Sequence, residues 1–355
     1  MHLMMIADTA ARRQEAPMLD RLAAALSTAG VEITRVLPGQ NQGRASKGSV
    51  LPTLVLDLPR TRLGRRGWIQ TITASMKKRV PDAIFVTGER AKGPAAALAR
   101  FWSKPLLIDV ASREAACAAG RFRHRETDVI FVAETETLLA LLRQRLDANH
   151  AVMSPVGVSS SSKEDLAFNG GELLSVAILN AGCDMESIQA ALRGLHQIID
   201  EVGPFQGCLE LHGDADHELW RFTKRLGLLD VLTPVQEVED LRRLVTACDV
   251  VIVPEVQTPV RTIILEAMGN GATVVAPRGT VIDGLIADET AVLIDAGHGD
   301  AWAMPLRRVL REETLRERLS ANAKIAIEAD HTSTEQAAAM ASILSQLMPP
   351  EHVAI

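Results

Sequence analysis

The chain has 355 residues, 47% of them hydrophobic, and a formal net charge of −6 with acidic and basic residues interspersed. That length and apolar content suffice for two domains with separate cores and exclude a disordered chain. The negative balance, the 3% aromatic content and the absence of Tyr argue against a nucleic-acid partner, since they serve neither phosphate neutralisation nor base stacking.

In chain order, Met1-His2-Leu3-Met4-Met5-Ile6-Ala7 is too short and lacks the basic start of a signal peptide, so Leu3 to Ala7 reads as a strand. A helix with Leu19, Leu22, Ala23 and Leu26 on one face follows and stops at Gly30, before a strand from Val31 to Val36. Further strands are expected at Leu54 to Leu58, Ala83 to Val86, Leu106 to Val110 and Val129 to Ala133. Their alternation with helical patterns specifies parallel crossovers and a doubly wound sheet. The polar run Ser159 to Lys163, followed by Gly170-Gly171, marks an interdomain linker. A second strand–helix series has strands at Leu174 to Leu179, Leu209 to Leu211, Val231 to Leu232, Val250 to Val253, Thr273 to Ala276 and Val292 to Ile294. A closing helix covers about Ser333 to Met348. No apolar run approaches the roughly 20 residues of a membrane-spanning helix. Cys117, Cys183, Cys208 and Cys248 lack paired metal-ligand spacing and read as reduced thiols, which points to a cytoplasmic compartment.

The most informative unit joins two apolar runs, Val250 to Val253 and Thr273 to Ala276, through one helix. Ile263, Ile264, Ala267 and Met268 recur there at helical spacing, and Gly269-Asn270-Gly271 supplies the stop. Glu266 lies among those apolar residues. Ligands bearing hydroxyls and phosphates sit at the carboxyl ends of strands in open α/β sheets, so Glu266 is a candidate hydroxyl acceptor. On spacing by itself, a solvated helix acid is the plainer reading.

The order Val253-Pro254, Glu266-Ala267-Met268, Gly271, Val274-Val275-Ala276 resembles the C-terminal domain of the GT-B family of retaining glycosyltransferases usually called family 4. Leu241 to Val250 is similar to its helix leading into an Ala-Asp-Val strand, and Leu209 to Gly213-Asp214 to its strand ending in Gly-Asp. Arg278-Gly279 and Asp283 look like a reduced Gly-Gly-x-x-Glu turn, and Pro155-Val156-Gly157-Val158 stands where the family has Pro-Asn-Gly-Val. The resemblance is strongest over residues 174 to 330. It implies an α/β fold with two Rossmann-like doubly wound domains facing a cleft (GT-B). Residues 1–158 would form the acceptor-side domain, 159–173 the linker and 174–332 the nucleotide-sugar-side domain. Residues 333–355 would form a helix packing back on the N-terminal domain through Ala338, Ala339, Met340 and Ile343. The implied activity is transfer of a sugar, with retention, from a nucleotide-sugar donor to a glycan, lipid or small-molecule acceptor, as in polysaccharide biosynthesis. No cofactor and no metal are implied, because metal-free relatives hold the donor diphosphate with cations.

Carried onto this sequence, the family pattern is incomplete. Glu266 falls on the carboxylate that meets the nucleotide ribose, but the first glutamate of the pair is Thr258, and Pro259 replaces a glycine whose backbone approaches the donor. The Gly-Arg pair and nearby Lys that hold the diphosphate correspond to Asn180 to Ser187, where Gly182 persists and Cys183 stands in place of Arg. Asp184 and Glu186 would repel a diphosphate there. Arg261, with Thr262 at the start of the Glu266 helix, is the candidate replacement cation; a solvated surface arginine is an equally open reading. Thr233-Pro234-Val235 is the candidate base contact. The glycine-rich turn of the first domain corresponds to Asp8 to Glu15, which has no glycine and offers Arg12 and Arg13 to an anion. Asp109 stands where the family has a His, and His124 receives no role. Basic clusters at Arg60 to Arg66 and Arg121 to Arg125 suit peripheral contact with anionic lipid, with scattered solvation as the plainer account. No catalytic residue is assigned. Three readings stand: an active transferase; a non-catalytic relative with a degenerate donor site acting as a binding or scaffold subunit; and, ranked last, a GT-B enzyme of another reaction such as a sugar-nucleotide epimerase, for which the sequence shows no set of catalytic carboxylates and His.

Overall fold

The computed structural model describes residues 1–39, 51–76, 79–121, 128–158, 173–212, 216–236, 238–295 and 300–347. The chain divides into two compact units, Met1–Gly157 with Ser333–Ile355, and Val158–Thr332. Residues 159–172 of the expected linker, the second basic cluster from Phe122 onward with His124, and Gly213-Asp214 lie outside the described residues.

In the first unit the order is β1 (His2–Ala7), α1 (Thr9–Thr28), β2 (Glu32–Leu37), β3 (Thr53–Val55), α2 (Arg62–Ser75), β4 (Ala83–Thr87) and α3 (Glu89–Trp102). Then come β5 (Leu106–Val110), α4 (Arg113–Ala118), β6 (Val129–Ala133), α5 (Glu136–Arg143) and β7 (Ala151–Met153). The sheet runs β3-β2-β1-β4-β5-β6-β7, all parallel. Continuous apolar runs form its centre: every residue of β1, β4, β5 and β6 is buried, as a sheet covered on both faces requires. The strand expected at Leu54 to Leu58 starts at Thr53 and ends at Val55, because its one neighbour, β2, offers partners only up to Leu37. The edge strand β7 carried too short an apolar run to be anticipated.

The second unit contains β8 (Leu174–Ile178), α6 (Met185–Ile198), β9 (Phe205–Glu210), α7 (His217–Arg225), β10 (Leu232–Val235), α8 (Val238–Ala247) and β11 (Val250–Ile252). It continues with α9 (Thr262–Gly269), β12 (Thr273–Pro277), β13 (Ala291–Ile294), α10 (Asp300–Arg311) and α11 (Glu313–Asp330). Its sheet runs β10-β9-β8-β11-β12-β13, again parallel. In both sheets the winding reverses once, between β1 and β4 and between β8 and β11, which creates the switch points where α/β sheets take ligands. The core between α6 and α10 depends on Gly194: a Cβ there would lie 2.5 Å from Trp302 Cβ. Gly194→Ala is therefore expected to destabilise this unit by about 1–3 kcal/mol, measured by urea unfolding, since neither helix can recede without opening the core.

The last described helix, α12 (Ser333–Leu347), belongs to the first unit and packs on α1, with Gln336 Nε2 3.4 Å from the Met18 sulfur. Its buried residues are Gln336, Met340, Ile343 and Leu344. Ala338, expected in that contact, is exposed, because the helical period places it opposite the 336–340–344 stripe.

Candidate functional site

The carboxyl end of β8 lies beside the switch point of the second sheet, and the chain turns there from Leu179 through Asp184 into α6. Gly182 adopts φ +74°, a conformation glycine enters without a Cβ penalty, so the turn can present its amide groups inward. Such a turn at a helix N-terminus is suited to an anion. The anion present is a side chain of the same chain. Glu255, 1% exposed and next to Pro254 after β11, accepts hydrogen bonds from the amides of Ala181, Cys183 (2.6 Å) and Asp184 (2.7 Å). The amide of Asn180 donates to Glu210 Oε2 at 2.9 Å, and that of Gly182 to Asn180 Oδ1 at 2.8 Å. Each of the five amides from Asn180 to Asp184 thus has an internal acceptor. Asp184 caps the helix, receiving the amides of Glu186 and Ser187 and the Ser187 hydroxyl at 2.5 Å. Cys183 is exposed.

Arg261, expected to face a diphosphate, is 3% exposed and holds the Glu210 carboxylate through both terminal nitrogens, at 2.8 and 2.7 Å. This corrects its placement: the two-pronged bond directs the guanidinium to the end of β9, and its charge is compensated within the protein. Asn180 Nδ2 reaches Asp216 at 3.0 Å, Asp216 also receives the His212 amide at 2.5 Å, and the His212 ring lies 2.6 Å from the Asn180 carbonyl. Asn180, Glu210, Asp216 and Arg261 therefore form one buried polar network joining the ends of β8 and β9 to the start of α9.

Glu266 is buried in α9, so the solvated-acid reading does not hold. Arg242 of α8 supplies its counter-charge and bonds the Thr262 hydroxyl at 3.0 Å, so Glu266 and Thr262 share one arginine. Thr258 is buried, its hydroxyl 3.3 Å from the Pro259 carbonyl and its amide on the Glu255 carbonyl. Thr233 is exposed on the edge strand β10, paired in register with Cys208. The structure thus brings Gly182 and Arg261 into one network through Asn180 and Glu210, places Glu266 and Thr262 around Arg242, and leaves Thr233 on the sheet edge.

At the corresponding switch point of the first unit, Asp8 accepts from the amides of Ala11 (2.9 Å) and Arg90 (3.0 Å), so one carboxylate caps the starts of both α1 and α3. Gly88, at φ +89°, permits this approach, since a Cβ would fall 2.2 Å from Asp8 Cγ. Arg12 donates to the Pro38 carbonyl. Two strands away, Asp109 at the end of β5 receives the Thr87 hydroxyl at 2.8 Å and pairs with Glu134, which follows β6. Burial pushes the Asp109 carboxyl up to about 6, opposed by the Thr87 hydrogen bond and the Lys92 charge. Glu134 is held well above the usual carboxylate range, first by burial and then by Asp109 and Glu15. The hydrogen bond between them raises Glu134 and lowers Asp109, which places the shared proton on Glu134.

Sequence reasoning missed Glu255, Glu210 and Arg242. Their signal was weak but present: two acids at the carboxyl ends of β9 and β11, flanking the strand whose turn was singled out. Among the described residues no group of His, Cys, Asp and Glu is disposed to hold a metal ion, and no helix is long and apolar enough to cross a membrane.

Residues 175–312 match the family model described as Glycosyl transferases group 1. The lipopolysaccharide core biosynthesis glycosyltransferase LpsE of Rhizobium meliloti (strain 1021) is 26% identical over 132 residues, 36% of this chain and 39% of that relative, so the alignment spans about two-fifths of the relative's length. Sucrose-phosphate synthase from Thermosynechococcus elongatus superposes with a TM-score of 0.80 at 16% identity, covering 98% of this chain and 99% of that one. Anabaena HepE in complex with UDP and glucose gives 0.76 at 17% identity, covering 98% and 100%. At such identities these superpositions show the fold, which is the GT-B arrangement of two parallel-sheet α/β domains.

Proposed function

From the match of residues 175–312 to the model described as Glycosyl transferases group 1, we propose that the chain transfers a sugar from a nucleotide-diphosphate sugar to a lipopolysaccharide or other polysaccharide acceptor, with retention. The observation that carries this reading is the match itself, which spans the second unit from β8 to α10 and includes both Glu266 and the β8–α6 turn. The relative named for lipopolysaccharide core biosynthesis supports the acceptor class, and a structure of the same fold solved with UDP and glucose supports the donor class. In this reading Glu266, oriented by Arg242, receives a ribose hydroxyl. The diphosphate lies toward the β8–α6 turn, where the peptide dipoles of α6 supply positive potential in place of an arginine side chain.

A second reading, a non-catalytic relative that binds partners, is favoured by one specific observation: the amides from Asn180 to Asp184 and the Arg261 guanidinium are already engaged by carboxylates of the chain. Titration with UDP and UDP-glucose, coupled to an assay for UDP release, separates the two. For the transferase, saturable binding is expected and Glu266→Gln weakens it at least tenfold, since a hydrogen bond to a charged group contributes about 1.5–3 kcal/mol. Nucleotide binding indifferent to Glu266→Gln, with no UDP release, would favour the non-catalytic reading.

A further inference from the structure

We propose that Glu255 is a built-in anion that occupies the diphosphate position of the β8–α6 turn, so that a nucleotide diphosphate binds by displacing it. The inference rests on reading this unit as donor-binding, and it adds a regulatory element to that site. The geometry is specific to a carboxylate acting as an anion. Both Glu255 oxygens are used, one by the Ala181 amide and the other by Cys183 and Asp184, and the side chain is fully enclosed. Among the described residues the carboxylate has no arginine or lysine partner. The three amides, backed by the fourteen-residue α6, supply the compensating positive potential.

The two remaining amides of the turn are taken by Glu210 and the Asn180 side chain. Glu210 takes the Asn180 amide, and Arg261 neutralises Glu210 rather than a ligand. With Glu255 in place the amides of Ala181, Cys183 and Asp184 are taken, and Asp184 adds a second carboxylate at the same turn. Once Glu255 withdraws, the amides of Ala181, Cys183 and Asp184 become three converging donors at a helix N-terminus. Glu255 lies outside regular structure, in the segment that joins β11 to α9, so its withdrawal breaks no strand or helix hydrogen bond. Because the carboxylate is tethered, it competes at high effective concentration and keeps apparent nucleotide affinity low.

The test uses the full chain with Glu255→Ser and Glu255→Gln, and two probes, inorganic diphosphate and UDP, read by calorimetry and thermal shift. Glu255→Ser is expected to bind diphosphate and UDP at least tenfold more tightly than the unaltered chain, and its melting temperature, lowered by the three exposed amides, should recover on adding diphosphate. Glu255→Gln keeps the shape, removes the charge and should show the same gain in smaller measure, which keeps the test open if the serine variant folds poorly. If neither variant binds diphosphate better than the unaltered chain, the proposal fails, whatever the chain does with nucleotide sugars. If diphosphate binding rises but UDP and UDP-glucose gain nothing, Glu255 is the anion plug and the donor reading is what fails. If the unaltered chain binds UDP as tightly as Glu255→Ser and turns over UDP-glucose, the donor reading stands and the plug is overturned.

Discussion

Arg261→Met lowers the stability of the second unit by about 3–5 kcal/mol, because it leaves the Glu210 carboxylate buried without its counter-charge. The guanidinium and carboxylate are each 3% exposed and joined by two bonds, so solvent cannot compensate for the loss. For a domain of this size that is a fall in melting temperature on the order of 10 °C. The effect reaches the β8–α6 turn, since Glu210 also accepts from Asn180, and Asn180 in turn positions Gly182 and Asp216. Glu210→Gln combined with Arg261→Met removes both charges while the amide oxygen still serves the Asn180 N–H. The double variant is expected to recover more than half of the loss. Chemical denaturation of the four members of this cycle measures the coupling. A single-variant loss below about 1 kcal/mol, within the range of an exposed ion pair, would show that the bond contributes no more than a surface contact.

Raising the pH from about 4 to about 8 lowers the stability of the first unit through Asp109 and Glu134, in the range set by an ordinary carboxyl and the raised ones. The folded unit holds a proton on Asp109 up to about 6, whereas the unfolded chain releases it near 3.8. Between those values the folded state binds more protons, so this contribution is fully present below 3.8 and is lost as pH rises through about 6. Glu134 is shifted in the same direction and extends the loss to higher pH. Because the two carboxyls share a hydrogen bond, the loss belongs to the pair rather than to either residue. Glu134→Gln retains a donor toward Asp109 without a second titrating acid. It is expected to exceed the parent in stability at pH 8 and to match it near pH 4. Hydrogen exchange of the β5 and β6 amides across this range localises the effect to the first unit. An unchanged pH slope in Glu134→Gln would remove the pair as its cause.

These buried charged groups were legible in the sequence to different degrees. Asp109 was visible as a polar residue inside an apolar strand, so its burial followed from the run Leu106 to Val110. Glu134 stood just beyond such a run, and nothing local placed it against Asp109; the parallel pairing of β5 with β6 did that. Glu266 was legible as a carboxylate in an apolar helix, yet its partner Arg242 lies 24 residues earlier, on a helix whose own spacing gave it no special place. Arg261 was picked out as a helix-start cation, and only the neighbouring end of β9 showed that its charge is committed to Glu210.

Apolar runs separated by helix-length intervals determined both sheets, their parallel sense and most strand positions, because burial on both faces requires continuous hydrophobicity and is written residue by residue. The incomplete donor pattern was also written locally, in Cys183, Thr258 and Pro259. Tertiary structure decided which carboxylate met which donor. Glu255 reaches Ala181, Cys183 and Asp184 across 71 to 74 residues of sequence because β8 and β11 are adjacent at the switch point. Hydrogen bonding between strand ends depends on sheet order, and sheet order is a property of the whole fold that no short stretch of sequence encodes.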